Sequence, residues 1–83
     1  MSEWTWEFHP PELSDGLPIG AIAEIERIAT ELVFLGRDAE GVGKPTHRVG
    51  GLRQLPLGSG SGFIVFMVVD HLEEILILQV NLL

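Results

Sequence analysis

Apolar and polar positions alternate first in "WTWEFHP", where Trp4, Trp6 and Phe8 fall on one side and Thr5, Glu7 and His9 on the other. An aromatic period of two, halted by Pro10 and Pro11, predicts a strand with its aromatic side toward a core. "PPELSDGLP" follows as a turn-rich connection, with Ser14 or Asp15 available as a cap and Pro18 suited to a first helical turn. From Ile19 to Leu35 the period lengthens to about 3.6. Ile22, Ile25, Ile28, Ala29, Leu32 and Leu35 form a stripe, and Glu24, Arg27 and Glu31 lie opposite. Arg27 and Glu31 are spaced to pair across one turn, and Gly36 is placed to end the helix with a positive φ.

"GRDAEGVGKPTHRVGG" has no usable period and reads as a long loop, a feature often functional in a small domain. "GLRQLPL" suits a short strand, "GSGSG" a flexible connection, and "FIVFMVVD" and "EILILQVNL" two further strands joined by a tight polar turn. The expected fold is α+β: an antiparallel sheet of about four strands with one main helix on one face, in the order β-α-β-β-β.

The last hairpin carries more apolar surface than one helix layer explains. In "FIVFMVV" the odd set (Phe63, Val65, Met67, Val69) and the even set (Ile64, Phe66, Val68) are equally apolar. In "EILILQVNLL" the even set is wholly apolar, while Ile75, Ile77, Gln79 and Asn81 are half polar. Strands buried on both faces belong to three-layer folds, and an open apolar face of this size exceeds what a monomer usually exposes. The expectation is a protein partner on the second face, another chain or a second copy of this one; the alternative is that the chain's own long loop folds back across the sheet. Ile64, Phe66, Val68, Ile75, Ile77, Gln79 and Asn81 are assigned to the partner.

Composition narrows the class. At 83 residues, residues 1–83 read as a single domain. Cysteine is absent, which excludes disulfides and favours a reducing compartment. The opening "MSEWTWEF" lacks the charged and apolar regions of a signal peptide, and neither terminal apolar run reaches membrane-spanning length, so the chain is expected in the cytoplasm and off the membrane. Twelve acidic against five basic residues leave a net charge of −7, which disfavours nucleic acid generally. The exception is local: Lys44, Arg48 and Arg53, with His47 among them, form a small basic stretch and are the candidate phosphate or RNA contacts.

Other chemistry is thin. His9, His47 and His71 lack metal-ligand spacing and read as solvated turn residues. Ser59 and Ser61 read as spacers, because no lysine and helix follow "GSGSG" and no nucleophile elbow surrounds it. Trp4 and Trp6 read as core packing before a base-stacking platform. No cofactor or metal is expected.

The run "GRDAEGVGKP…HRVGGLRQLPLG…GFIVFMVVDHLEEILILQV" resembles the latter half of the RelE/ParE toxin superfamily of bacterial toxin–antitoxin pairs. There a helical segment precedes "G-x-P…GLR-x-L", an aromatic-led strand and a final "V-x-I-L-x-V" strand; the resemblance spans roughly Ala21 to Val80. It implies a small antiparallel sheet packed on helix, an antitoxin that wraps the toxin, and action in the cytoplasm. One branch cleaves messenger RNA on the ribosome and another inhibits DNA gyrase without nuclease activity. The chain departs from the pattern: one helix stands where the family usually has a two-helix hairpin. The basic positions used by RNA-cleaving members correspond to Ile64 and Gln79, the terminal histidine or arginine positions to Leu82 and Leu83, and tyrosine is absent. The resemblance therefore implies a toxin-like protein acting through protein contacts without catalysis. The alternatives are a ribosome-dependent ribonuclease using Arg53, Lys44, Arg48 and His47, and a gyrase-directed inhibitor.

Overall fold

A computed structural model describes residues 3–46 and 51–83. The aromatic alternation builds β1 (Thr5–Phe8), and Trp6 and Phe8 meet edge to face with centroids 5.3 Å apart. A 3-10 turn, Pro11–Ser14, leads to α1 (Ile19–Leu35). Its cap differs from expectation. Pro18 is the N-cap residue and no side chain caps the helix; the Ser14 hydroxyl is turned back to donate to the Pro11 carbonyl at 3.3 Å. The other helix signals are realised: Arg27 and Glu31 pair at 3.1 Å, and Gly36 closes the helix at φ +58°. A side chain at Gly36 would press on the Trp4 indole, so both backbone and packing ask for glycine there.

The expected long loop is partly ordered. Gly36–Gly41 forms a 3-10 helix, and β2 (Lys44–Pro45) adds a strand the sequence pattern does not predict. β3 (Arg53–Pro56), β4 (Gly62–Val69) and β5 (Glu74–Leu82) follow. The result is a five-stranded sheet in the order β1-β5-β4-β3-β2. Antiparallel pairing joins β2 to β3, β3 to β4 and β4 to β5; only β1 runs parallel to its neighbour, β5. The architecture is α+β, with one helix on one face of a mostly antiparallel sheet.

That helix defines the core. Ile25, Ile28, Ala29 and Leu32 of α1 pack with Ile64 and Phe66 of β4 and Ile75 and Ile77 of β5, joined by Ala39 and Leu57. Trp4, Trp6 and Phe8 pack against its margin, as the alternation predicts. The Gly58 amide donates to the Glu24 carboxylate, which ties the β3–β4 connection to the helix.

Here the partner-face assignment is corrected. Ile64, Phe66, Ile75 and Ile77 are each 0% exposed under α1 and are not available to another protein in this fold; Val68 lies half-buried beside them on the same side. Gln79 and Asn81 lie on the opposite face. The physical reason is a β-bulge. Phe66 pairs with Ile77 but Val65 pairs with Gln79, so Leu78 has no partner and the alternation of β5 reverses there. Val80 thereby joins the helix side opposite Ile64, and Gln79 and Asn81 turn outward opposite Val65 and Phe63.

Candidate functional site

The face left open by α1 is lined along β4 by Phe63, Val65, Met67 and Val69, and across from them by Asn81, Gln79, Leu76 and Glu74. Cross-strand pairing sets one polar row over four strands. Lys44 lies opposite Gln54, Gln54 opposite Val65, and Val65 opposite Gln79. This row forms the centre of a shallow groove of about 420 Å³ whose remaining walls are Pro45, Thr46 and Phe63.

Its floor is better shielded than the bare sequence suggests. Val65 is only 5% exposed although α1 packs on the other face; Gln54 and Gln79 lie directly across from it on the neighbouring strands. Among the described residues, none of the large exposed apolar side chains lies on this face: they are Ile19, Phe34 and Leu35 on α1, Leu72 in the β4–β5 turn, and Leu82 and Leu83 at the chain end. The open apolar face expected to demand a partner is therefore partly closed within the chain itself, with Val65 buried and Phe63, Met67 and Val69 half-buried.

The groove offers an ammonium, two carboxamides and a hydroxyl over an apolar floor. Such a surface donates hydrogen bonds and attracts an anion. Among the described residues that line it there is no carboxylate, imidazole or phenol, the side chains that most readily accept or deliver a proton near neutral pH.

The basic stretch does not converge on it. Lys44 is exposed and lines the groove. Arg53 sits on the other side of β3, opposite Phe66, and its guanidinium is spent on backbone: Nε donates to the Val42 carbonyl at 3.1 Å and Nη2 to the Gly43 carbonyl at 2.8 Å. It lines a separate depression with Glu40, Gly51 and Val68. Arg53 thus works as a clamp on the segment before β2. Arg48 and His47 lie outside the described residues; the amide of Thr46 and the carbonyl of Leu52, on either side of them, are bonded at 3.1 Å.

Of the two positions where the resemblance places basic residues on the sheet, Ile64 is in the core and Gln79 is in the groove. Leu82 and Leu83 stand at the other end, near Pro18, Ala21 and Glu24. Gln54, Thr46, Phe63 and Val65 are groove residues that sequence reasoning missed. Only the pairing register brings them to Lys44 and Gln79, and no local motif marks them. At the far corner, Trp4, Arg37, Asp38, Asp70, His71 and Glu73 ring a second depression, in which the Arg37 guanidinium donates to Asp70 at 3.1 Å.

No protein-family model and no curated protein matches the chain. Among solved structures, a mutant of E. coli toxin RelE in complex with an antitoxin RelBc peptide superposes with a TM-score of 0.70, over 100% of this chain and 85% of that chain, at 14% sequence identity. The fold is that of RelE. At such low identity the likeness extends to the course of the backbone alone. Within the RelE fold, this chain's open face carries Lys44, Gln54 and Gln79 on an apolar floor, and its other described arginines turn elsewhere: Arg27 to Glu31, Arg37 to Asp70 and Arg53 to backbone.

Proposed function

We propose that the chain is a toxin-like component of a toxin–antitoxin pair and acts through protein–protein contacts without cleaving RNA. One pairing of observations supports this reading. The backbone is that of a toxin solved with its antitoxin peptide, and among the described residues the groove on the open face holds Lys44 as its one cation and no carboxylate, imidazole or phenol. Cleaving RNA through the 2′-hydroxyl requires a base for that proton and positive charge on the developing phosphorane. Lys44 supplies only part of the second requirement. The partner in this reading is an antitoxin-like protein. The whole of residues 1–83 acts as one domain in the cytoplasm; among the described residues no helix is long and apolar enough to cross a membrane.

The second reading, a ribosome-dependent ribonuclease, draws on Lys44 in the groove, with Arg48 and His47 nearby in sequence. A gyrase-directed inhibitor, needing no proton-transfer group, is tested in the same experiment. Wild type and Lys44→Ala are induced in growing bacteria, with and without the protein encoded next to this chain, while messenger RNA ends are mapped and gyrase supercoiling is assayed. The expected outcome is a growth defect that the neighbouring protein relieves by forming a stable complex, equal for both variants, with no new RNA ends. Ribosome-dependent cuts lost in Lys44→Ala would establish the ribonuclease instead, and loss of supercoiling would establish the gyrase inhibitor. A neighbour that neither binds nor relieves removes the toxin–antitoxin assignment.

A further inference from the structure

The two margins of the sheet are built differently. β2, at one margin, is only two residues long and consists of Lys44 and Pro45. A very short strand, a lysine and a proline are the features by which a sheet edge refuses another strand. β1, at the other margin, has none of them. It runs for four residues, Thr5–Phe8, contains no proline, and pairs with β5 in unbroken register from Thr5 opposite Glu74 to Phe8 opposite Ile77.

Pairing on one side uses alternate residues of a strand. The Thr5 and His9 amides donate to the Glu73 and Ile77 carbonyls at 3.0 and 2.9 Å. By the same alternation the amides and carbonyls of Trp6 and Phe8 point away from β5, off the margin of the sheet. The parallel register with β5 leaves both residues' amides outside that ladder, and β1 is the last strand of the sheet on this side. Backbone groups in that position bond to water or to another chain.

The side chains along this edge divide by face. Trp6 and Phe8 are half-buried on the helix side. Glu7 is exposed on the open side, and Glu74, opposite Thr5, shares that side. No lysine or arginine occurs from Glu3 to Phe8 or in β5.

We propose that the β1 edge accepts an extended segment of a partner protein in which apolar and basic residues alternate. The apolar residues lie beside Trp6 and Phe8, and the basic ones beside Glu7 and Glu74. Main-chain bonds to Trp6 and Phe8 supply affinity, and the alternation supplies register and selectivity. The inference rests on the reading that this chain works through protein contacts, and not on the partner being an antitoxin.

The protein carries its own reporter, because its two tryptophans are Trp4 and Trp6. The probes are a short synthetic peptide alternating lysine with valine and its glutamate–valine counterpart. Fluorescence titration gives affinity, and amide exchange at Trp6 and Phe8 gives location. The lysine peptide is expected to bind about tenfold more tightly than the glutamate peptide, from exchanging like-charge for opposite-charge neighbours at Glu7 and Glu74, and to protect both amides. Glu7→Lys, at an exposed position outside the core, should bring the two peptides level or reverse the order.

Equal affinities, no response to either peptide, or protection confined to the β2 margin would overturn the proposal. Protection of Trp6 and Phe8 that rises with protein concentration in the absence of peptide would assign the edge to a second copy and overturn it as well. Relief of toxicity by the neighbouring protein with no response here removes the edge assignment alone. Peptide binding with no neighbour complex removes the toxin–antitoxin reading alone.

Discussion

The two faces of the sheet are made from the same β4 strand, yet they end in different states. On the helix side Ile64 and Phe66 are wholly buried, with Ile75 and Ile77 beside them. On the open side Phe63, Met67 and Val69 stay half-buried, and Val65 is buried without a helix above it, between Gln54 and Gln79 on the adjacent strands. The difference teaches that an apolar strand face does not by itself require a second layer. Long polar side chains placed directly across can shield it, provided register brings them there. In this chain the bulge at Leu78 sets that register, because it directs Gln79 and Asn81 to the face that lacks a helix.

The contrast is tested most sharply by truncating two phenylalanines that lie three residues apart on opposite faces. Phe66→Ala should cost about 3–5 kcal/mol, the range for deleting a fully buried aromatic side chain. That is a large share of the ~5–15 kcal/mol available to a domain. Phe63→Ala should cost about 1 kcal/mol or less, since half-exposed area is lost and water fills the groove. Urea unfolding of both variants measures the difference, and equal losses would show that the open face carries as much packing as the core.

A backbone position comes next. Gly62 begins β4 at φ +149°, where a side chain would collide with the Asn81 carbonyl across the ladder. Gly62→Ala should therefore destabilise by about 1–3 kcal/mol, as other conformations rarely open to L side chains do. If the variant melts like wild type, the close approach of β4 and β5 at this point is not required. Smaller still is the separation of two arginines. Arg53→Ala removes two bonds to backbone carbonyls and should cost about 1–2 kcal/mol. Arg37→Ala removes an exposed ion pair with Asp70 and should cost only a few tenths of a kcal/mol. Equal effects would deny Arg53 its clamping role.

These same elements show what could be read in advance. The limits of α1 followed from a clear period of 3.6 and a terminal glycine, both local. The aromatic side of β1 followed from its alternation. β2 had no local signal, because two residues become a strand only by pairing with Gln54 and Arg53 of β3. The parallel pairing of β1 with β5 joins segments from opposite ends of the chain, and nothing in either dictates direction. The choice of face failed for a related reason: alternation tells which residues share a side, but a single unpaired residue exchanges the sides beyond it. Lys44 was legible as part of a small basic stretch in a loop, and Gln79 as a polar position in an apolar run. Their meeting with Gln54 in one row depended on register. Arg53 looked equivalent to Lys44 in the sequence, and only the fold shows it turned toward the Val42 and Gly43 carbonyls.

A change in stability as small as that of Arg37→Ala belongs to Gln79→Leu, which bears most directly on how the open face is shielded. The residue is half-buried beside Val65, so an apolar side chain of similar length fits, and the folding free energy should shift by about 0.5 kcal/mol or less, as for surface positions generally. The surface itself changes character. Removing the carboxamide makes the row Val65 and Leu76 continuous with an apolar neighbour, and contiguous apolar area is what drives association of otherwise soluble domains. Gln79→Leu should therefore melt like wild type in dilute solution yet self-associate as concentration rises, measured by light scattering on both proteins. A variant that stays as dispersed as wild type would place the shielding in Gln54 and Lys44 alone, and a variant that unfolds would mean that Gln79 holds the bulged strand in register.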